Sequence, residues 1–172
     1  QLATTLLNRG ELTGLSGCQE PIDELVLIDV RFHVAQNGPR MQQLVGDISN
    51  RNVIDEAIGN SQNISVFHLA SMVSGECEER YDDALRVNLD GGRNVFEAAR
   101  AVAGRPRVVF ASSIASFGGA AMPTPVIDLA KQTPQTTYGM TKAMCELLVN
   151  DHTRKGHFDG RSARLPTVII RP

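Results

Sequence analysis

The chain lacks most of the features that single out specialised protein classes. Among its 172 residues are only three cysteines, Cys18, Cys77 and Cys145, odd in number and far apart. Neither a disulfide framework nor a metal-ligand spacing follows from them. Free thiols in a cytoplasmic protein are the expectation. His33, His68, His152 and His157 include no i,i+4 pair, which argues against a metal site on a helix. Charge of one sign is also missing: 17 basic residues face 19 acidic ones, for a net charge of -2. That balance sets aside nucleic acid and an anionic membrane as main partners. The apolar runs are too short to span a bilayer. No basic start followed by an apolar stretch opens the chain, so no signal peptide is expected. Internal repeats and low-complexity linkers are absent as well.

What is present suits one domain with a real core, since 42% of the residues are apolar and 21% charged. The first residue is glutamine, and Leu2, Ala3, Leu6 and Leu7 already recur at helical spacing before a glycine C-cap at Gly10. The last residues, Arg171-Pro172, follow a strand-like run. A fragment cut at both ends is expected. Between these ends, apolar runs at 24–29, 64–70, 107–111 and 163–170 read as strands, the first of them as a buried parallel strand. Residues 31–46 are mixed, with a turn at Asn37-Gly38-Pro39. Helices are expected over 50–59, over 78–103 as one long element, and from Tyr138 to near Gly156. Loops occupy 71–77 and the Pro/Gly-rich 117–135. Such alternation predicts an α/β fold, a Rossmann-like doubly wound parallel sheet with helices on both faces. Ligands bind such sheets at the carboxyl ends of the strands. Asp29, the Ala70–Ser74 loop and Ser112-Ser113 all fall at that edge.

Tyr138-Gly139-Met140-Thr141-Lys142 carries the clearest chemistry. Tyr138 and Lys142 are four residues apart and share a helix face. A phenol is a poor base at neutral pH, and a fixed ammonium beside it favours the phenolate. The pair suits proton exchange with an alcohol, but the pattern also occurs by chance as a surface pair. At 100° per residue, Met140, Met144, Leu147 and Leu148 read as the core stripe, which leaves Tyr138 and Lys142 facing a pocket. Ser113 could donate to a substrate oxygen or simply end a strand. Asp29 either sits where an acid holds an adenosine ribose, favouring NAD over NADP, or is a solvated strand-end acid, and Arg31 lies close by. Asp47 either faces an adenine amino group or, with Ser49, caps the following helix. Asn88, Gly91 and Gly92 are unfavourable inside a helix, and close approach of another backbone would explain the glycines. Ser71, Ser74 and Glu76 supply polarity to the 71–77 loop, with Ser74 a candidate substrate contact.

Several stretches together resemble the extended short-chain dehydrogenases/reductases, the NAD-dependent epimerase/dehydratase family. They are Val66-Phe67-His68-Leu69-Ala70, Val87-Asn88-Leu89-Asp90-Gly91, Val108 to Ser113 with Phe117-Gly118, and Tyr138 to Lys142. The resemblance implies NAD as cofactor and Tyr138 as acid/base, tuned by Lys142, with Ser113 orienting the substrate. It also implies that Asp29, Asp47 and Ile48 hold the adenosine end. Leu69, Ala70, Ser71, Asn88, Tyr138, Lys142 and Pro166 then lie along the cofactor, and Ser74 meets the substrate. A homodimer through helices at about 78–103 and 137–155 is implied, with no metal. A narrower similarity joins Ser74-Gly75-Glu76, Thr133 to Tyr138, Arg164 to Thr167 and Arg171-Pro172 to the group that oxidises the C2 hydroxyl of the four-carbon sugar acid D-erythronate.

The chain departs from the family pattern in places. The family's G-x-x-G-x-x-G turn would precede Gln1, and without it the stretch alone should bind NAD poorly. Gly92 replaces a threonine, Phe117 replaces a tyrosine, and a C-terminal substrate region is expected to be missing. The expected function is NAD-dependent oxidation of a sugar acid. A nucleotide-sugar 4-epimerase or dehydratase and a non-catalytic NAD-binding scaffold are the alternatives.

Overall fold

The computed structural model describes residues 1–14, 16–34, 38–120, 122–127 and 129–164. Helix α1 (Leu2–Arg9) ends where Gly10 turns left-handed, at φ 71°, and donates its N–H to Leu6 O. The glycine C-cap read from the leucine spacing is therefore present. A short antiparallel hairpin follows, β1 (Glu11–Thr13) against β2 (Gln19–Pro21), which the sequence reading did not include. Strand β3 (Leu25–Asp29) then pairs in parallel with β4 (Met41–Val45), in the register Leu25↔Met41 to Asp29↔Val45. Strand β4 lies inside the stretch read as mixed. Strand β3 is half-buried along its apolar residues rather than enclosed.

Helix α2 (Arg51–Ile58) is capped by Asn50, whose side chain accepts from Asn52 N. The cap is thus Asn50, one residue beyond the Asp47/Ser49 pair that the sequence suggested. Beyond α2, the strands β5 (Ser65–His68), β6 (Arg107–Ser112) and β7 (Asp159–Arg164) form a parallel sheet in that order. Strand β7 starts earlier than the apolar run at 163–170, of which residues 165–170 lie outside the described residues. Among the described residues, β3–β4 and β5–β6–β7 share no strand pairing.

The long helix expected over 78–103 is four successive segments. Helix α3 (Ser74–Glu79) starts inside the expected loop and stops at Arg80. Helix α4 (Tyr81–Ala84) runs into a π-helical segment at Leu85–Asp90, and α5 (Gly91–Ala101) completes the run. π segments inside α-helices cluster at functional sites, and this one carries Asn88. Helix α6 (Thr137–Arg154) is capped by Thr136, which accepts from Gly139 N.

Helix α5 packs between α2 and α6, and α5 meets β5 while α6 meets β6 and β7. The core joins Ile48, Ile54, Val95, Phe96, Val108, Phe110, Cys145, Val149 and Phe158. Strand β6 alternates accordingly, burying Val108 and Phe110 and leaving Val109 half-exposed, as the period of two requires. Phe96 and Phe110 meet edge to face, with ring centroids 5.8 Å apart.

The buried face of α6 differs from the one expected. Gly139, Thr141, Lys142, Ala143, Cys145, Glu146, Val149 and His152 are buried, while Met144 is 40% and Leu147 62% exposed. Small residues on α6 let the helix approach its neighbours closely, so the larger side chains turn outward. Gly92 shows the same economy: a Cβ there would lie 2.9 Å from Cys145 Sγ. At Gly91 a Cβ would lie 2.7 Å from Ile48 Cγ1. Side chains, rather than another backbone, thus make the closest approach to both glycines.

Candidate active site

The carboxyl edge of β6 and the first turns of α6 are locked together by one glycine. Ser113 follows β6, and its hydroxyl accepts from Ala115 N to open a 3₁₀ turn at Ile114–Ser116. An ideal Cβ on Gly139 would overlap the Ala115 carbonyl. Only glycine at the second position of Tyr-Gly-Met-Thr-Lys lets this turn rest on the helix. Ser113 and Tyr138 are thereby brought to one edge, both half-buried. Having accepted from Ala115, the Ser113 hydroxyl still carries a proton to donate.

Lys142 is 3% exposed. Its Nζ donates to Ala111 O at 2.8 Å and stands 5.4 Å from the Tyr138 ring centroid and 5.0 Å from that of Phe110. Burial lowers its pKa, opposed by the nearby Cys145 and Cys77 thiols. Lys142 thus does not point into an open pocket from outside the packed face, as the helical wheel suggested. It belongs to that face and reaches the sheet edge from within it. An ammonium has three donors, and one of them is committed to Ala111.

Asn88 accounts for its place mid-helix. Its Oδ1 accepts from Met72 N at 2.7 Å, and its Nδ2 donates to Met72 O at 3.2 Å, to Cys77 Sγ and to Thr141 Oγ1. Its own carbonyl accepts from Cys145 Sγ at 3.4 Å. Asn88 therefore pins the backbone between Ser71, which is half-buried, and Ser74, which is exposed at the start of α3. Leu69 and Ala70 are exposed just past β5.

The other end of the edge is more open. Asp29 is exposed at the end of β3, and its Oδ1 accepts from Arg31 N at 3.2 Å. Asp47 accepts from Ser49 N at 2.8 Å and from Arg86 Nη1 at 2.7 Å. Burial alone would raise its pKa, but the Arg86 and Ser49 hydrogen bonds and the Arg86 charge outweigh this and hold it below the usual value. Arg86, which the sequence reading did not single out, also meets Ser49 Oγ and Asp83. Its position on the helix lineage after Tyr81 gave no local sign of a partner 39 residues away. Ile48 is buried against Gly91. Pro166 lies outside the described residues.

The carboxyl end of β6 and the first turns of α6 thus gather a tyrosine, a buried lysine and a serine in an α/β domain, an arrangement able to exchange a proton with a hydroxyl. The chain belongs to the NAD dependent epimerase/dehydratase family, whose model matches residues 11–169. It is 42% identical to the D-erythronate dehydrogenase of Cupriavidus necator over 172 residues, all of this chain and 52% of that protein. A second D-erythronate dehydrogenase, from Haemophilus influenzae, is 42% identical over 152 residues, 88% of this chain and 48% of that protein. The crystal structure of the nucleoside-diphosphate-sugar epimerase from Agrobacterium tumefaciens superposes with a TM-score of 0.79 at 40% identity, covering 99% of this chain and 50% of that one. The chain spans about half the length of the curated relatives it matches.

The donor set fits the family's cofactor. Carboxylates at Asp29 and Asp47 suit the hydroxyls and amino group of an adenosine, and the Lys142 ammonium suits a ribose hydroxyl. Among the described residues, no group of three or more His, Cys, Asp or Glu side chains could hold a metal. No described helix is long and apolar enough to cross a membrane.

Proposed function

We propose that the full-length protein oxidises a secondary hydroxyl of a sugar acid, the C2 hydroxyl of D-erythronate, with NAD, and that residues 1–172 are part of its cofactor-binding domain. The observation that carries this reading is Lys142 Nζ, 5.4 Å over the Tyr138 ring at the edge where Ser113 emerges. Tyr138 takes the proton from the substrate hydroxyl while Ser113 donates a hydrogen bond to the same oxygen. Lys142 stands over the Tyr138 ring and offers its remaining donors to the nicotinamide ribose. Asp29 receives the adenosine ribose, and Asp47 with Ile48 receives the adenine. Leu69, Ala70, Ser71 and Pro166 run along the cofactor, Asn88 holds the loop that carries Ser71, and Ser74 meets the substrate. When bound, NAD supplies the two-electron acceptor that the side chains cannot. The 42% identity to two D-erythronate dehydrogenases supports the choice of substrate.

The 40% identity to a structure described as a nucleoside-diphosphate-sugar epimerase favours a second reading, epimerisation of a nucleotide sugar at the same triad. NADH absorbance with D-erythronate separates the two. Reduction of NAD in step with substrate loss supports the dehydrogenase. Conversion of UDP-glucose without net NAD reduction, and none with D-erythronate, supports the epimerase.

The protein acts as a cytoplasmic homodimer in this reading. Supporting the dimer is an apolar groove of about 380 Å³ lined by Leu89, Asp90, Arg93, Met144, Leu147 and Leu148. Its exposed Met144 and Leu147 need cover. Three free thiols support the compartment.

A further inference from the structure

We infer that Glu146, one turn beyond Lys142, is a positioning residue for the reaction proposed above, and the inference rests on that reading. Glu146 is a carboxylate only 3% exposed on the packed face of α6. A buried carboxylate persists only where donors satisfy it. One of its oxygens accepts from the Ser112 hydroxyl, and the other accepts from Gln132 Nε2 at 2.7 Å.

The two donors lie at opposite ends of one connection. Ser112 closes β6 and directly precedes Ser113. Gln132 lies on the return path toward Tyr138. One side chain therefore ties both approaches of the 113–138 connection to the same turn of the helix that carries Tyr138 and Lys142. Ser112 Oγ also lies 3.4 Å from Ser116 Oγ, which extends the tie into the turn resting on Gly139. Thr133 Oγ1 donates to Gly118 O at 2.6 Å and closes the loop beside it.

A packing role alone would be served by leucine, as it is by Val149 on the same face. A carboxylate is the group that accepts from two separate donors on two oxygens at once. Through these bonds Glu146 sets where Ser113 stands relative to Tyr138. It does so without touching substrate or cofactor.

The test compares Glu146→Leu, Glu146→Gln and the exchange pair Glu146→Gln/Gln132→Glu in the full-length enzyme. Glu146→Leu lowers kcat for the sugar acid by about 10- to 100-fold, the cost of misplacing reacting groups, and leaves KM for NAD within roughly twofold. Amide exchange in the same variant quickens over 113–116 and 130–137 but not in α5. The exchange pair restores both kcat and protection, because an amide at 146 can accept from Ser112 and donate to a carboxylate at 132. Glu146→Gln falls between, since a flipped Gln132 amide can still accept from it.

Unchanged kcat and unchanged exchange in Glu146→Leu overturn the inference. Equal loss at every segment, α5 included, also overturns it by showing a general structural role. If Glu146→Leu does not fold, the exchange pair decides: recovered folding and protection support the tie, and failure to recover them refutes it. Wild-type enzyme inactive on sugar acids sinks the proposed function alone, since the exchange pattern still reports on Glu146.

Discussion

The two groups of parallel strands hold the two ends of the site by different means. Behind β5–β6–β7, Phe96, Phe110 and Phe158 are fully buried, and the lysine at that edge is 3% exposed. Along β3–β4, Leu25 to Ile28 are half-buried, Asp29 is exposed and Val45 is 71% exposed. There the second carboxylate, Asp47, is held by an ion pair whose arginine is 48% exposed. In the reading proposed above, packing fixes the end where the proton moves, while surface hydrogen bonds shape the end that would meet adenosine. Changes near β6 should therefore appear in kcat, and changes near β3 in KM for NAD.

The sharpest way to break that contrast is Tyr138→Phe. It should lower kcat about 10²- to 10⁴-fold, the usual worth of a positioned acid/base, with KM for NAD unchanged in steady-state assays. Turnover within tenfold of wild type would move the chemistry elsewhere.

The second test is acid. His68 is 4% exposed between Phe96 and Phe110, and burial, reinforced by the Lys142 charge, pushes its pKa from 6.5 down to about 3. The unfolded chain binds a proton near pH 6.5 that the folded chain refuses, so stability is full above 6.5 and falls as pH drops toward 3. The loss is roughly 1.4 kcal/mol per pH unit in that window. Urea titrations at pH 7 and pH 5 should differ by about 2 kcal/mol. His152, whose pKa burial also lowers, adds in the same direction. A His68→Gln variant that keeps the full slope would remove His68 as its source.

Third, Gly139→Ala drives a methyl into the Ala115 carbonyl. A cost of about 1–3 kcal/mol in urea unfolding is expected, with kcat falling alongside it. The smallest effect belongs to the open end. Arg86→Met frees Asp47 and should raise KM for NAD by no more than about fivefold, in line with exposed ion pairs, with kcat untouched. A large fall in kcat there would erase the distinction between the two ends.

The same contrast separates what the sequence disclosed from what it hid. Tyr138, Lys142 and Ser113 were legible because their residue types and order carry chemistry, and the strands that deliver them are apolar runs. Strand β4, Met-Gln-Gln-Leu-Val, and strand β7, Asp-Gly-Arg-Ser-Ala-Arg, are paired but have no such run. The break at Arg80 falls where neither proline nor glycine marks it, and Gly91-Gly92 after the π segment did not by themselves say that the helix changes its winding there. On α6 the periodicity located an apolar stripe but not its neighbour. Met144 and Leu147 face outward because Gly139, Ala143 and Cys145 give the close approach that the sheet and α5 demand. Arg86 and Glu146 escaped notice because a charged residue at helical spacing looks the same whether solvated or bonded across 39 or 34 residues.

The bond from Thr133 to the Gly118 carbonyl has a consequence for how such enzymes diversify. It ties the two ends of the intervening segment together, so a change within that segment need not displace Gly118 or Thr133. In the reading proposed above, that segment can vary by insertion or exchange while Ser113, Tyr138 and Lys142 keep their places.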